Sequence, residues 1–167
     1  MSLTLTSPSF VDGGAMPSRF TCEGIDSSPR LDWSGAPAGT RSFALIVDDP
    51  DAPDPARPQR TYVHWVLYNL PADAKHLPEG VTDSHLPAGA RQGRNDWNQA
   101  RYGGPCPPIG RHRYFFKLYA LSAAELVGLE SPTKADVERA IEGHVLEQAT
   151  LIGTYQKGDG EGAGSRR

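Results

Sequence analysis

Three runs of apolar, aromatic and β-branched residues dominate the sequence, and each is too short to predict a helix. They cover Ser42–Asp48, Tyr62–Leu70 and His112–Leu121, which are ordinary strand lengths. The chain also holds 18 glycines and 15 prolines, many of them in the connecting segments. Proline fixes φ and removes a hydrogen-bond donor, so these segments form turns and loops. The pattern predicts a mainly β protein and not a helical bundle.

Weaker signals add further elements to these three strands. A short strand is predicted at Arg19–Thr21, before a loop that leads to Leu31–Ser34, and a last strand is predicted at Leu146–Tyr155. A helix is predicted after Thr133, because Thr133 and Asp136 have the spacing of a capping box.

The stretch from 71 to 111 is rich in turn residues and shows little periodicity. Forty irregular residues are unusual inside a compact domain, so this stretch is either a functional loop or a set of short strands without a clear pattern.

The length of 167 residues fits one domain, predicted over 1–157 and followed by a flexible glycine-rich tail at 158–167. The net charge of −3 argues against binding to nucleic acid or to anionic membranes. No apolar run reaches the roughly 20 residues of a membrane span. The N-terminus lacks the features of a signal peptide, so the expected location is the cytoplasm.

The two cysteines, Cys22 and Cys106, lie far apart in the chain. In a reducing compartment two free thiols are the default, although the sequence leaves a disulfide bridge open.

Alternation along the strands indicates which side chains share a face. In the second run these are Tyr62, His64, Val66 and Tyr68, and in the third His112, Tyr114, Phe116 and Leu118. If the two strands are neighbours, both histidines face the same end of the sheet. Asp49 and Asp51 follow the first strand, where binding loops are common.

Several ordered motifs resemble one known family. The segments 49–53 (Asp-Pro-Asp-Ala-Pro), 63–65 (Val-His-Trp), 104–105 (Gly-Pro) and 110–114 (Gly-Arg-His-Arg-Tyr) are similar to the two signature regions of the phosphatidylethanolamine-binding proteins. The segments 34–37, 93–97 and 104–108 resemble the bacterial Raf-kinase-inhibitor-like branch, also called YbhB/YbcL-like. The resemblance extends over residues 3–156.

This resemblance implies a large central antiparallel sheet, a second smaller sheet, and one or two peripheral helices. It also implies a small pocket for phosphate-like and acetate-like anions, without a cofactor, a metal or a catalytic residue. The implied ligand-binding residues are Asp49, His64, Gly104, Pro105, His112 and Tyr114, with Asp51, Pro53 and Arg113 in supporting roles. Two departures are the single histidine in His64-Trp65, where animal members often have a pair, and the glycine-rich C-terminus.

The expected function is therefore non-enzymatic binding of a small anion or phosphorylated head group. Protonated His64 and His112 would attract the anion, and Asp49 would raise a histidine pKa and orient its ring. Backbone N–H groups near Gly103 and Gly104 would add donors.

Two other classes of function compete with this one. A protein-interaction module that inhibits a kinase or protease would use the same pocket to dock an acidic side chain. A metal-dependent hydrolase has less support, since the chain contains neither a His-Glu-x-x-His nor a Gly-x-Ser-x-Gly motif. Pairing into a homodimer is a further expectation from the resemblance.

Overall fold

The computed structural model describes residues 2–159, which form two antiparallel sheets and one α-helix. The strands are β1 (Thr4–Thr6), β2 (Leu31–Ser34), β3 (Ser42–Ala52), β4 (Arg60–Pro71), β5 (His76–Leu77), β6 (Arg91–Gln92), β7 (His112–Leu121) and β8 (Val145–Tyr155), with α1 at Lys134–Ile141. The large sheet has the order β6-β4-β3-β7-β8 and the small one β1-β2-β5. The mainly β fold with two sheets is therefore confirmed.

The three strong sequence runs are the three central strands of the large sheet. β7 has the predicted bounds, whereas β3 continues beyond the predicted end at Asp48 as far as Ala52. Asp49 and Asp51 thus belong to a strand and not to a loop. The short strand predicted at Arg19–Thr21 is wrong, because Ser18–Phe20 form a 3₁₀-helix that buries Phe20.

The helix begins as the sequence predicts. Thr133 accepts a hydrogen bond from the Asp136 amide, and the Asp136 carboxylate accepts one from the Thr133 amide. Val137 and Ile141 are buried against one face of the large sheet, in a cluster that also contains Ile46. The opposite face packs on the small sheet, where the side chains of Trp33 and Phe43 meet with ring centroids 5.7 Å apart. The large sheet is therefore the middle layer.

The residues predicted to share one face of β4 are divided between both faces. The register of β4 against β3 shifts three times along the pair. Each irregularity can reverse the inside–outside alternation of a strand. As a result, Tyr62 and His64 face the pocket described below, whereas Val66 and Tyr68 pack in the cluster under α1. The face predicted for β7 is confirmed, since Tyr114, Phe116 and Leu118 lie in one core cluster.

The irregular stretch from 71 to 111 contains β5, β6 and a 3₁₀-helix at Asp83–His85. The alternative of short strands without a clear pattern is therefore confirmed, and the later part of the stretch, around Trp97 and Pro107–Pro108, lines the pocket.

Cys22 and Cys106 form a disulfide bond, with 5.4 Å between their Cα atoms, so the default of two free thiols is wrong. The cytoplasmic location stays a prediction. The disulfide bond argues against that location, because disulfides persist mainly in oxidising compartments. Within residues 2–159, no helix is both long and apolar enough to cross a bilayer.

The first residues of the predicted tail contact the body of the protein. The Gly158 amide donates to the Glu23 carboxylate, and Arg111 donates to Asp159 at 2.6 Å. The rest of that prediction, residues 160–167, lies outside the described residues.

Candidate ligand-binding pocket

A cavity of about 540 Å³ lies beside the ends of β3, β4 and β7. Strand residues form its polar part, and loop residues form much of its apolar wall. Its lining consists of Asp49, Ala52, Pro53, Gln59, Arg60, Tyr62, His64, Trp97, Cys106, Pro107, Pro108, His112 and Tyr114. Four of the six predicted ligand-binding residues thus meet here: Asp49, His64, His112 and Tyr114.

Asp49 and His112 form a buried pair on neighbouring strands. The Nδ1 atom of His112 lies 2.5 Å from Oδ2 of Asp49, and its Nε2 lies 3.1 Å from the carbonyl oxygen of Pro53 and 2.9 Å from that of Ile109. Carbonyl oxygens only accept, so Nε2 carries a proton. A second proton must lie between Nδ1 and Oδ2, because two lone pairs would repel at that distance. The pair therefore has no net charge.

The backbone completes the environment of the Asp49 carboxylate. Its Oδ1 accepts a hydrogen bond from the Asp51 amide at 2.7 Å. Burial raises the pKa of Asp49, while the hydrogen bonds from His112 and the Asp51 amide act in the opposite direction. Since every polar atom of the pair has a protein partner, the pair orients the His112 ring and leaves no free N–H for a ligand.

His64 is neutral at physiological pH. Its Nδ1 lies 2.7 Å from the carbonyl oxygen of Gly103, which requires a proton on Nδ1. Burial lowers the pKa of His64 to about 4, although the Gly103 carbonyl opposes this shift. The Nε2 atom of His64 therefore carries a lone pair. This Nε2 atom has no hydrogen-bond partner within residues 2–159. It is also not fully buried, and since His64 lines the cavity, we infer that Nε2 is exposed to the cavity.

The Tyr114 hydroxyl is the one fully buried side-chain polar atom without a hydrogen-bond partner in the described part of the chain. The Tyr114 ring meets His64 edge-on, with centroids 5.1 Å apart, and is stacked on His112 at 6.3 Å. Burial raises the pKa of Tyr114 far above its usual value, so the hydroxyl keeps its proton. An unpaired buried hydroxyl costs about 1–3 kcal/mol.

Sequence reasoning about the site missed several lining residues, among them Tyr62, Trp97 and Arg60. Tyr62 and Trp97 lie against His64, with centroid distances of 5.5 and 5.1 Å. Arg60 extends over the Tyr62 ring at 4.8 Å, bonds to Asp96, and is half-exposed at the mouth of the cavity. Trp97 lies in a motif already noted, 93–97, but nothing in one sequence connects that motif to the pocket. Arg60 brings to the lining a positive charge that Asp96 partly balances.

The predicted supporting residues hold the site from outside. Asp51 accepts hydrogen bonds from the backbone amide, Nε and a terminal nitrogen of Arg113, at 2.9, 3.0 and 2.8 Å. These bonds lower the pKa of Asp51. Pro53 contributes its carbonyl oxygen to His112 and part of the cavity wall.

Gly104 and Pro105 lie behind the wall and not on it. The Gly104 amide donates to Asp26 at 2.8 Å, and the carbonyl of Pro105 accepts from the Cys22 amide. The Gly103 amide is also used, by the carbonyl of His64. The amides of Gly103 and Gly104 are therefore not free donors for an anion, and the wall at this point is Cys106 with the prolines that follow it.

The structure also contradicts the expectation of two cationic histidines. His64 is neutral, and the charge of His112 is balanced by Asp49. Of the two histidines, only His64 keeps a ring nitrogen without a protein partner in residues 2–159, and that nitrogen carries a lone pair. The residues 2–159 contain no cluster of three potential metal ligands among His, Cys, Asp and Glu.

The comparison with known proteins decides the family. The model of the phosphatidylethanolamine-binding protein family matches residues 6–156. The chain belongs to this family. A UPF0098 protein from Methanothermobacter thermautotrophicus is 48% identical over 158 residues, which cover 93% of this chain and all of that protein.

Solved structures of the phosphatidylethanolamine-binding protein family agree with the fold. A homologue from Chlamydia trachomatis is 38% identical, with a TM-score of 0.84 and coverage of 93% of this chain and 98% of that one. YbcL from E. coli, described as a member of the mammalian family, is 34% identical with the same TM-score and covers 93% and 99% of the two chains.

Proposed function

We propose that this member of the phosphatidylethanolamine-binding protein family binds a small anion or a phosphorylated head group in the pocket, without chemical turnover. The observation that carries the proposal is the Tyr114 hydroxyl, which is buried and unpaired on a residue that lines the same cavity as His64. Proteins rarely leave a buried polar group unsatisfied, and such groups often mark a missing partner.

The rest of the lining supports a ligand that is polar at one end. The inner end is polar, whereas Ala52, Trp97 and Pro107–Pro108 form apolar sides. Arg60 lies at the mouth, where it attracts negative charge. A phosphorylated head group fits this arrangement of a polar end and apolar sides. Its phosphoryl oxygens would lie at the polar end, and the rest of the head group would extend toward the mouth of the cavity.

Calorimetric titration at pH 6 tests the proposal with phosphate, acetate and phosphoethanolamine. We expect saturable binding to the wild type and at least tenfold weaker binding to Tyr114→Phe, which removes only the unpaired hydroxyl. The matched control is Tyr68→Phe, since Tyr68 is equally buried but lies on the α1 side of the sheet. Folded wild-type protein that binds none of the three anions would refute the proposal.

Phosphatase and esterase assays test the non-enzymatic part. Turnover that disappears in His64→Asn would overturn it. Inhibition of a kinase or protease and pairing into a homodimer stay predictions. Inhibition is compatible with anion binding, because an acidic side chain of the inhibited protein would occupy the same pocket as the anion.

A further inference from the structure

A second cavity, of about 610 Å³, lies at the β6 edge of the large sheet and shares no lining residue with the first. Residues of β4 and β6, of the 3₁₀-helix at Asp83–His85 and of the loop before α1 form its walls. The polar and apolar side chains that matter for its chemistry are Tyr68, Asp83, Leu86, Arg91, Leu129 and Glu130.

The hydrogen-bond donors of the second cavity are Tyr68 and Arg91. The register of β4 against β6 places these residues directly opposite each other, so their side chains lie on one face. Tyr68 is 2% exposed, yet its hydroxyl has no hydrogen-bond partner in residues 2–159 and is not among their fully buried unpaired atoms. Burial raises the pKa of Tyr68, and the nearby charge of Arg91 acts in the opposite direction. The phenol and the guanidinium are therefore close together.

The acceptors of the second cavity are the carboxylates of Asp83 and Glu130. Oδ1 of Asp83 accepts a hydrogen bond from Nε2 of Gln92 at 3.0 Å, and Oε1 of Gln92 accepts one from Nε1 of Trp65 at 2.7 Å. Gln92 and Trp65 are both buried, so these bonds hold the Asp83 carboxylate at a fixed place in the wall. Its Oδ2 atom and the Glu130 carboxylate have no partner in the part of the chain that the structure describes.

The opposite charges of this cavity do not pair with each other. Within residues 2–159, Arg91 forms no ion pair with Asp83 or Glu130, although all three line the same space. A simple anion in the cavity would meet two carboxylates, and a simple cation would meet the guanidinium. A molecule that carries one group of each charge satisfies both sets.

The apolar part of the lining adds a further requirement. Leu86 and Ala90 pack against the core between the two sheets, and Leu129 packs against the cluster under α1. All three stay partly exposed and line the cavity. A ligand with an aliphatic portion would cover them and remove apolar surface from water, which is favourable.

We propose that the second cavity binds a free amino acid with an aliphatic side chain, such as leucine. The carboxylate of the amino acid accepts hydrogen bonds from Arg91 and the Tyr68 hydroxyl. Its ammonium group donates to Asp83 and Glu130, and its side chain lies against Leu129. This inference does not rest on the proposed function, because the two cavities have different residues.

Calorimetric titration at pH 7 with leucine, 4-methylpentanoate and 3-methylbutylamine tests the inference. The three probes have the same aliphatic group, but the second lacks the ammonium and the third lacks the carboxylate. We expect saturable binding of leucine that is at least tenfold tighter than that of either analogue, because each analogue loses charge-assisted hydrogen bonds. An excess of phosphate should not displace leucine.

Two substitutions of exposed side chains should produce opposite changes in preference. Arg91→Gln is expected to weaken leucine binding about tenfold and to strengthen that of 3-methylbutylamine, since it removes the charge that repels an amine. Glu130→Gln should weaken leucine binding and strengthen that of 4-methylpentanoate. The matched control is Glu125→Gln, an exposed residue of the same loop outside the lining, which should bind leucine as the wild type does.

Tyr68→Phe removes one neutral donor and should weaken leucine binding about threefold. Phosphate and acetate have no ammonium group for Asp83 and Glu130, so their binding at the first cavity is measured independently of this change.

Several outcomes would overturn the inference while leaving the proposed function in place. They are no saturable binding of leucine, equal binding of leucine and 4-methylpentanoate, and leucine affinity that is unchanged in both Arg91→Gln and Glu130→Gln. Displacement of leucine by phosphate would also overturn it, because leucine would then occupy the first cavity.

Discussion

The Asp49 carboxylate and the His112 imidazole lie 2.5 Å apart on adjacent strands, and they share one proton in a pair without net charge. This relationship changes what the predicted site can do. Both groups are fully used by protein contacts, so the residues that look most reactive in the sequence serve as support. Among the predicted binding residues, His64 and Tyr114 keep a polar side-chain atom without a partner in residues 2–159.

The neutral pair makes Asp49→Asn a mild substitution. The side-chain amide of asparagine can donate a hydrogen bond to Nδ1 of His112. His112 then keeps only its Nε2 proton, and the net charge of the pair stays zero. We expect the free energy of unfolding to change by less than about 1 kcal/mol, whereas Asp49→Ala should cost about 3–5 kcal/mol because it leaves a buried histidine without its partner. Urea denaturation at pH 7 measures both.

Phosphate affinity distinguishes this account from one in which Asp49 keeps a histidine cationic. A neutral pair predicts that Asp49→Asn retains affinity within about threefold. A loss of tenfold or more in a variant with wild-type stability would contradict the neutral pair.

Stability should depend on pH through His64. Its pKa is about 4 in the folded protein and 6.5 in the unfolded chain. Between these values the unfolded state binds more protons, so stability is complete above pH 6.5 and is lost as the pH falls toward 4. The total loss is roughly 3 kcal/mol, from about 1.4 kcal/mol for each pKa unit.

Denaturation curves between pH 4 and 7.5 measure this dependence. His64→Asn should show a shallower decline than the wild type over that range. The matched control is His76→Asn on the exposed surface of β5, which should follow the wild type. An unchanged slope in His64→Asn would mean that His64 is not the group that titrates.

Tyr114→Phe should stabilise the unliganded protein while it weakens binding. The substitution removes a buried hydroxyl that has no partner and keeps the ring that packs against His64. We expect a gain of about 1 kcal/mol in the free energy of unfolding, measured by thermal or urea denaturation without added anion. A loss of more than about 1 kcal/mol would show that the hydroxyl already has a partner in the free protein.

Reduction of the Cys22–Cys106 bond should destabilise the protein. The bond closes a loop across a sequence separation of 84 residues, for which chain entropy predicts a loss of about 4.5 kcal/mol when it is broken. Because Cys106 also lines the pocket, anion affinity should fall as well. The double substitution Cys22→Ser with Cys106→Ser, compared with the wild type with and without dithiothreitol, measures both effects.

Arg60 should contribute to affinity by long-range attraction. Its side chain is 56% exposed, so the contribution is modest and screened by salt. We expect Arg60→Gln to weaken phosphate binding about threefold in low salt and less than twofold at 0.5 M salt. Arg57→Gln, an exposed neighbour outside the lining, is the control and should have no effect.

Local sequence determined the central strands and the helix, and the family motifs identified four polar residues of the pocket. The central strands follow from runs of β-branched and aromatic residues, and α1 follows from the capping box of Thr133 and Asp136, because these preferences act within a few residues. The resemblance in the signature motifs brought Asp49, His64, His112 and Tyr114 into one site, as the structure does.

Only the tertiary structure decided the protonation of that site and the wall that closes it. His112 and Asp49 are 63 residues apart, and His64 and Gly103 are 39 apart. The charge of a histidine depends on burial and on the atoms that face it, and both are produced by packing of distant segments. For the same reason one sequence could not decide whether Cys22 and Cys106 are bonded, since a disulfide forms only where the fold brings the two Cα atoms within about 7 Å.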